Sequence, residues 1–261
     1  MRFKRGEGWK NRKGQVTIFI IIAVVIVAIA VLLYLFVPSI KTTLGVQQQN
    51  PRAFMQTCME KDIKDNLDTI SLHGGDINPT FYSTFDNIKI KNLCYATLYC
   101  TLCTVQEPQL QSHIEQQIKN NLQNTVDDCL NSMKDNYEKQ GYTVNLQTGP
   151  FEFSLLPNKA VAIINSSLTL TKTSTEKYDS FNVVVNNNLY ELVALANNII
   201  QWETTYGSVD VALYMNLYSN LKVEKKLLSD NTKIYIITDR DTKDMFEFAS
   251  RSYALSPAGY C

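Results

Sequence analysis

Between Gln15 and Val37 the chain reads QVTIFIIIAVVIVAIAVLLYLFV, and nothing else in it restricts the fold so strongly. The 22 residues from Val16 to Val37 carry no charge, and Thr17 and Tyr34 are their only clearly polar side chains. Wound as a helix at about 1.5 Å per residue, the run reaches roughly 33 Å, enough for a hydrocarbon core of about 30 Å. A helix also satisfies its own N–H and C=O groups inside lipid. The expectation is one transmembrane helix over residues 15–37, which takes in Val16, Ile20, Val24, Ala28, Leu32 and Val37, with membrane lipid as its partner.

Charge orients that helix. Residues 1–14 hold Arg2, Lys4, Arg5, Lys10, Arg12 and Lys13 against Glu7, a net of +5. The whole chain balances 25 basic with 25 acidic residues, so the remainder carries −5. Basic residues beside a span stay on the cytoplasmic side. The N-terminus is therefore expected inside and the main domain extracytoplasmic. A cleaved secretory signal fits poorly: its apolar region spans about 7–15 residues and ends in an A-x-A-like site. Here the run is longer and closes on Leu35-Phe36-Val37-Pro38.

Lys13-Gly14-Gln15-Val16-Thr17 before an apolar helix resembles the class III signal of archaeal pilins and related surface proteins. The resemblance implies cleavage between Gly14 and Gln15, with the apolar helix retained and able to pack into a filament. Pilins of this kind carry glutamate at the fifth mature position, where this chain has Phe19, a departure that bears on filament assembly more than on cleavage. Phe54-Met55-Gln56-Thr57-Cys58, Leu72-His73-Gly74-Gly75-Asp76-Ile77, and Asp128-Cys129-Leu130 ahead of Gly141-Tyr142 are similar to archaeal single-pass surface proteins with KGQVT-type starts. That group has no established activity, so the likeness implies fold and location rather than chemistry.

Beyond the span, residues 38–50 are polar and read as a linker. Residues 51–261 are long enough for a real core. Asn50-Pro51 opens a helix with Met55, Met59, Ile63, Leu67 and Ile70 on one stripe, and Gly74-Gly75 ends it. A longer helix follows Pro108, with Leu110, Ile114, Ile118, Leu122, Val126, Cys129, Met133 and Tyr137 on its face and Gly141 at its end. Asn188-Leu189-Tyr190-Glu191 reads as the capping box of a third. Strands are expected around Phe151–Leu155, Val161–Leu170, Phe181–Val185, Val209–Tyr218, Ile234–Ile237 and Met245–Ala249. Consecutive strands without intervening helices favour an α+β fold, with about three helices packed on antiparallel sheet after the transmembrane helix.

The six cysteines are Cys58, Cys94, Cys100, Cys103, Cys129 and Cys261, an even number that suits disulfides outside the cytoplasm. Cys58 lies beside the stripe of the first helix and Cys129 on that of the second, so packing the two faces together favours a Cys58–Cys129 bridge. The other four allow three arrangements, with Cys100–Cys103 and Cys94–Cys261 ranked slightly ahead. A zinc site at Cys94, Cys100 and Cys103 is the weaker alternative.

Chemistry is sparse. His113 is expected to face solvent, and His73 to end a helix, where the dipole favours it without catalysis. Walker, G-x-S-x-G and H-E-x-x-H patterns are absent from the sequence. Asp239-Arg240-Asp241-Thr242-Lys243-Asp244 lacks the Gly and final Glu of a calcium loop and reads as a solvated turn. A net-acidic domain without a basic stripe disfavours nucleic acid. Asn165-Ser166-Ser167 is a glycosylation sequon, usable if exposed.

These features lead to an expected non-enzymatic structural or interaction protein of the cell envelope. It is expected to need no cofactor or metal and to contact itself or other envelope proteins. A pilin-like filament subunit is the first alternative, and an extracytoplasmic enzyme or solute binder the second.

Overall fold

The computed structural model of the chain describes residues 21–27 and 50–253, which belong to two separate units. In the first unit, residues 21–27 form helix α1, with Ile21, Val24 and Val27 exposed. Among the described residues no helix is long and apolar enough to cross a membrane. The expected fold is corrected on this point: its transmembrane helix is not part of the described architecture. Of the residues assigned to it, Val24 is helical, while Val16, Ile20, Ala28, Leu32 and Val37 lie outside the described residues. Gly14 and Gln15, the candidate cleavage pair, and Cys261 also lie outside them.

The second unit begins with helix α2 (Pro51–Leu72). Asn50 caps it, its side-chain oxygen accepting from the Arg52 N–H at 3.0 Å, and Pro51 occupies a position that needs no donor. Met55, Met59, Ile63, Leu67 and Ile70 are all buried. Strands β1 (Tyr82–Phe85) and β2 (Ile88–Tyr95) form a hairpin through Asp86-Asn87, both at positive φ, as a tight hairpin turn demands. After the short β3 (Thr104–Val105) comes α3 (Leu110–Lys139), whose stripe from Leu110 to Tyr137 is buried. Gly75, at φ +96°, lets α3 approach: a Cβ there would lie 2.9 Å from Leu110 Cδ1.

Six strands follow: β4 (Thr143–Gln147), β5 (Phe151–Leu156), β6 (Lys159–Ile164), β7 (Ser167–Thr171), β8 (Thr175–Tyr178) and β9 (Phe181–Asn186). Helices α4 (Leu189–Tyr206) and α5 (Val211–Leu217) come next. Strands β10 (Leu221–Leu227), β11 (Lys233–Asp239) and β12 (Met245–Arg251) complete the unit.

The α+β class holds, but the layout differs from the expected one. Three sheets form instead of one: β1-β2-β12-β11-β10 with β3 added to β2, β4-β7-β8, and β5-β6-β9. All described pairings are antiparallel except β2 with β12, which is parallel. Residues 50–253 hold four helices. The extra one is α5, where alternation suggested a strand over Val209–Tyr218. Asp210 decides the matter: its carboxylate accepts from the Ala212 N–H at 2.9 Å and starts a helix that buries Tyr214.

One continuous core joins the buried faces of α2, α3 and α4 to the inner faces of the sheets. Phe246, Phe248 and Tyr235 fill it from β12 and β11, and Phe181 fills it from β9. Cys58 and Cys129 are disulfide-bonded across the α2–α3 contact, with Cα atoms 6.0 Å apart. Cys94 is bonded to Cys103, Cα–Cα 5.3 Å, which corrects the expected Cys100–Cys103 and Cys94–Cys261 arrangement. The strand register explains it. Cys94 on β2 faces Val105 on β3, and the chain leading into β3 carries Cys103 back beside it. Cys100 is disulfide-bonded as well and lies in the intervening loop at positive φ.

Candidate functional site

Helix α4 carries two glutamates with opposite surroundings, and together they define the site. Glu203 lies near its C-terminal end and is fully buried. Lys233 on β11 donates to Glu203 Oε2 at 2.6 Å, to the Ser252 carbonyl at 2.9 Å and to the Gly207 carbonyl. Ser250 donates to the same Oε2 at 3.0 Å, and Tyr235 donates to Oε1. Ser252 bonds the Glu203 carbonyl at 2.8 Å and accepts from the Cys103 N–H at 2.9 Å, so the disulfide loop joins the network. Burial depresses the Lys233 pKa while Glu203 opposes it. Burial, then the Glu203 carboxylate, pushes the Tyr235 hydroxyl well above its ordinary range. Every group here is satisfied and closed to solvent, so the network ties α4 to β11 and β12 and offers nothing to a ligand.

Glu191 lies near the other end of the helix, where the capping box was expected. The box does not form. Asp244, in the β11–β12 turn, accepts from the Asn188 N–H at 2.8 Å, the donor that Glu191 would have taken. The Asn188 amide donates to Asp239 Oδ2 at 3.0 Å instead of capping the helix. Asn187 Oδ1 takes the Leu189 N–H at 2.9 Å. Displaced from its cap, Glu191 accepts from the Asn158 N–H through Oε1 at 2.9 Å. Its Oε2 is buried and is the only such side-chain atom without a hydrogen-bond partner among the described residues.

Glu191 itself lines a groove of about 730 Å³ between α4, α5 and the start of β10, with Oε2 buried behind its surface. One wall is a helical ridge, Tyr190, Ala194, Asn198 and Trp202, residues four apart that share one face. The other wall is α5, with Leu213 and Leu217. Tyr214 donates across the floor to Asn198 Oδ1 at 2.6 Å and fixes the two helices together. Leu217 is 66% exposed and Tyr218 51%, which leaves apolar surface at the rim of the groove. The charged residues of the lining are Glu191 and Asp239, with no lysine or arginine. Asp239 is spoken for. Burial disfavours its charge, but N–H donors from Asp241 and Thr242 and the amides of Asn188 and Asn220 outweigh that and lower its pKa. The groove thus pairs an apolar, aromatic surface with a single unanswered acceptor.

A second polar cluster lies elsewhere. His113, expected to face solvent, sits among three charged groups. Its Nε2 lies 2.5 Å from Asp76 Oδ1 and 3.0 Å from Lys91 Nζ, and its Nδ1 lies 3.3 Å from Glu107 Oε2. Lys91 also bridges Asp76 and Glu107, each at 3.2 Å. Burial works against the Asp76 charge, yet the His113 hydrogen bond and the Lys91 charge prevail and lower its pKa. The cluster clasps the loop after α2, strand β2 and α3 together. His73 caps the end of α2, with Nδ1 3.1 Å from the Ile77 carbonyl oxygen.

Of the remaining sequence candidates, Asn165 is exposed between β6 and β7, with its N–H bonded to the Pro150 carbonyl at 3.0 Å. The Asp239–Asp244 stretch is the β11–β12 turn, whose carboxylates cap local N–H groups. Among the described residues no group of three or more His, Cys, Asp or Glu side chains is arranged to hold a metal ion. The groove is hidden in the sequence because alternation over Val209–Tyr218 suggests a strand and Asn188–Glu191 carries a capping-box pattern. The spacing 190-194-198-202 was its only visible trace. No family model, curated relative or solved structure matches the chain.

Proposed function

We propose that the chain is a non-enzymatic, extracytoplasmic interaction protein of the cell envelope. The observation that carries this reading is the disulfide framework: Cys58 with Cys129, Cys94 with Cys103, and Cys100 also bonded. Structural disulfides persist in oxidising compartments and are rare in reducing ones. The first bridge closes a separation of 71 residues, which in the chain-entropy account contributes roughly 4 kcal/mol. A fold built on such links works best outside the cytoplasm. The basic leader, the acidic remainder and the KGQVT-type resemblance support the same location. Binding is favoured over catalysis because the largest described concavity is aromatic and apolar, and the charged clusters are held in internal ion pairs and hydrogen bonds.

Protease added to intact cells is expected to degrade the domain, and non-reducing peptide mapping of the surface-released fragment to recover Cys58 linked to Cys129 and Cys94 to Cys103. Complete protection of residues 50–253 in intact cells, or free thiols at these four cysteines, overturns the reading.

A further inference from the structure

We propose that the groove between α4 and α5 binds an apolar organic cation: a primary ammonium on an aliphatic or aromatic body, its N–H meeting Glu191 Oε2. The proposal deepens the reading that the chain acts by binding.

Three observations converge on that ligand class. The first is the demand for a donor. Glu191 Oε2 has no hydrogen-bond partner, whereas its sister oxygen holds the Asn158 N–H. A buried carboxylate oxygen left unanswered is costly, and a ligand that supplies the missing donor recovers that cost. The terminal torsion of a glutamate is broad, so a small rotation presents Oε2 to the groove while Oε1 stays on Asn158. The second is charge. The lining carries two carboxylates and no cation, and Asp239 already has four donors, so the site is net negative with one open acceptor. An anion is repelled, and a neutral apolar molecule leaves Oε2 unpaired. The third is the surface on which the body of the ligand would lie. Tyr190, Trp202 and Tyr218 line the groove with aromatic side chains of the kind that attract a cation as well as apolar area, and Leu213 and Leu217 complete the wall. The volume of about 730 Å³ lies within the range of roughly 300–1,000 Å³ usual for small-molecule or side-chain pockets.

The same chemistry can come from a free amine or from a lysine side chain flanked by apolar residues. The test uses both. Trp9 and Trp202 are the two tryptophans of the chain, so the full-length Trp9→Phe protein reports on the groove by Trp202 fluorescence. It is titrated with 3-phenylpropylammonium, with the N-acetylated and C-amidated peptide Leu-Lys-Phe, and with the neutral isostere 3-phenylpropanol. Saturable quenching by at least one cation is expected, with the neutral alcohol about tenfold weaker or more, and the tighter of the two cations identifies the source. Glu191→Gln is expected to weaken the cation about tenfold and leave the alcohol unchanged. Ala194→Phe, which narrows the groove, keeps Glu191 and adds no tryptophan, is expected to abolish binding of every probe, with both variants checked for unchanged thermal unfolding. Equal affinity for the cation and the alcohol, indifference to Glu191→Gln, or no saturable response to either cation at millimolar concentration overturns the proposal. Surface proteolysis reports where the domain sits and this titration reports what the groove takes, so the two readings fail separately.

Discussion

Glu191 and Glu203 share a helix and a residue type, yet the fold treats them in opposite ways. Glu203 accepts from Lys233, Tyr235 and Ser250, and its oxygens are enclosed by β11 and β12. Glu191 keeps one backbone donor and leaves an oxygen unanswered at the edge of an aromatic groove. The difference lies in the partners that the topology delivers. The C-terminal half of α4 runs over β11 and β12, interior strands of the largest sheet, which bring a lysine, a tyrosine and a serine to one point. At its N-terminal end Asp244 arrives from the β11–β12 turn, takes the cap and sets Glu191 free. A carboxylate whose valences are all filled holds a fold together. One with a spare acceptor beside apolar surface is equipped to bind.

The sharpest way to break this contrast is to remove the cation from the closed side. Lys233→Met keeps the aliphatic volume but leaves Glu203 with a buried charge answered only by hydroxyls. Breaking a buried pair from one side typically costs about 3–5 kcal/mol, and that loss is expected in urea unfolding. Glu191→Gln in parallel should change stability by less than about 1 kcal/mol, because no internal cation is lost. Equal losses for the two variants would mean that the two ends of α4 are not energetically distinct.

The next effect concerns the disulfide that leans on the closed network. Ser252 links the Glu203 carbonyl to the Cys103 N–H. Replacing Cys94 and Cys103 together by serine removes a cross-link over a separation of nine residues, worth roughly 2–3 kcal/mol by chain entropy. The loss is expected to shrink in a Lys233→Met background, since both changes disturb Ser252. Strict additivity of the two losses would show that disulfide and ion pair act independently.

How far such a contrast could be seen in advance depends on sequence separation. The stripes of α2 and α3 were legible because burial of one helix face writes a three-four spacing directly into the chain, and Asn50-Pro51 and Gly74-Gly75 mark the ends with local chemistry. The Cys58–Cys129 contact followed from those stripes. The Cys94–Cys103 bond did not, because it depends on β2 pairing with β3, a strand of only two residues. The parallel contact of β2 with β12 joins segments on either side of nearly the whole unit, and hydrophobic alternation contains no register for it. Glu191 was misread for a related reason. The local pattern is a sound capping box, and a distant carboxylate, Asp244, wins the donor. Lys91, Glu107 and His113 lie apart in sequence and carry no common signature, so their cluster around Asp76 is visible only after folding.

A third carboxylate gives the smallest effect and the finest test. Glu247 on β12 is largely buried like Glu203 but forms no ion pair with a cation among the described residues. Burial raises its pKa first, and the nearby charges of Asp86 and Glu224 raise it further. The register shows why Glu224 matters: Glu224 on β10 and Glu247 on β12 both face Ile236 on the strand between them, so the two carboxylates lie on one side of the sheet. A carboxyl whose folded pKa exceeds its unfolded value destabilises the fold in its charged form. The penalty is absent below the unfolded pKa of about 4.3, sets in as pH rises past it, and is complete above the folded pKa. Glu247→Gln removes it while keeping the side-chain shape. The variant is expected to be more stable than the parent at pH 7, by up to about 1 kcal/mol, since like charges two strands apart interact less than directly opposed ones, and to match it at pH values well below 4. Thermal unfolding across that range reads the difference directly. A gain that persists undiminished into acid would trace it to packing rather than charge. A loss at pH 7 would show that the Glu247 carboxylate, like that of Glu203, holds the fold together.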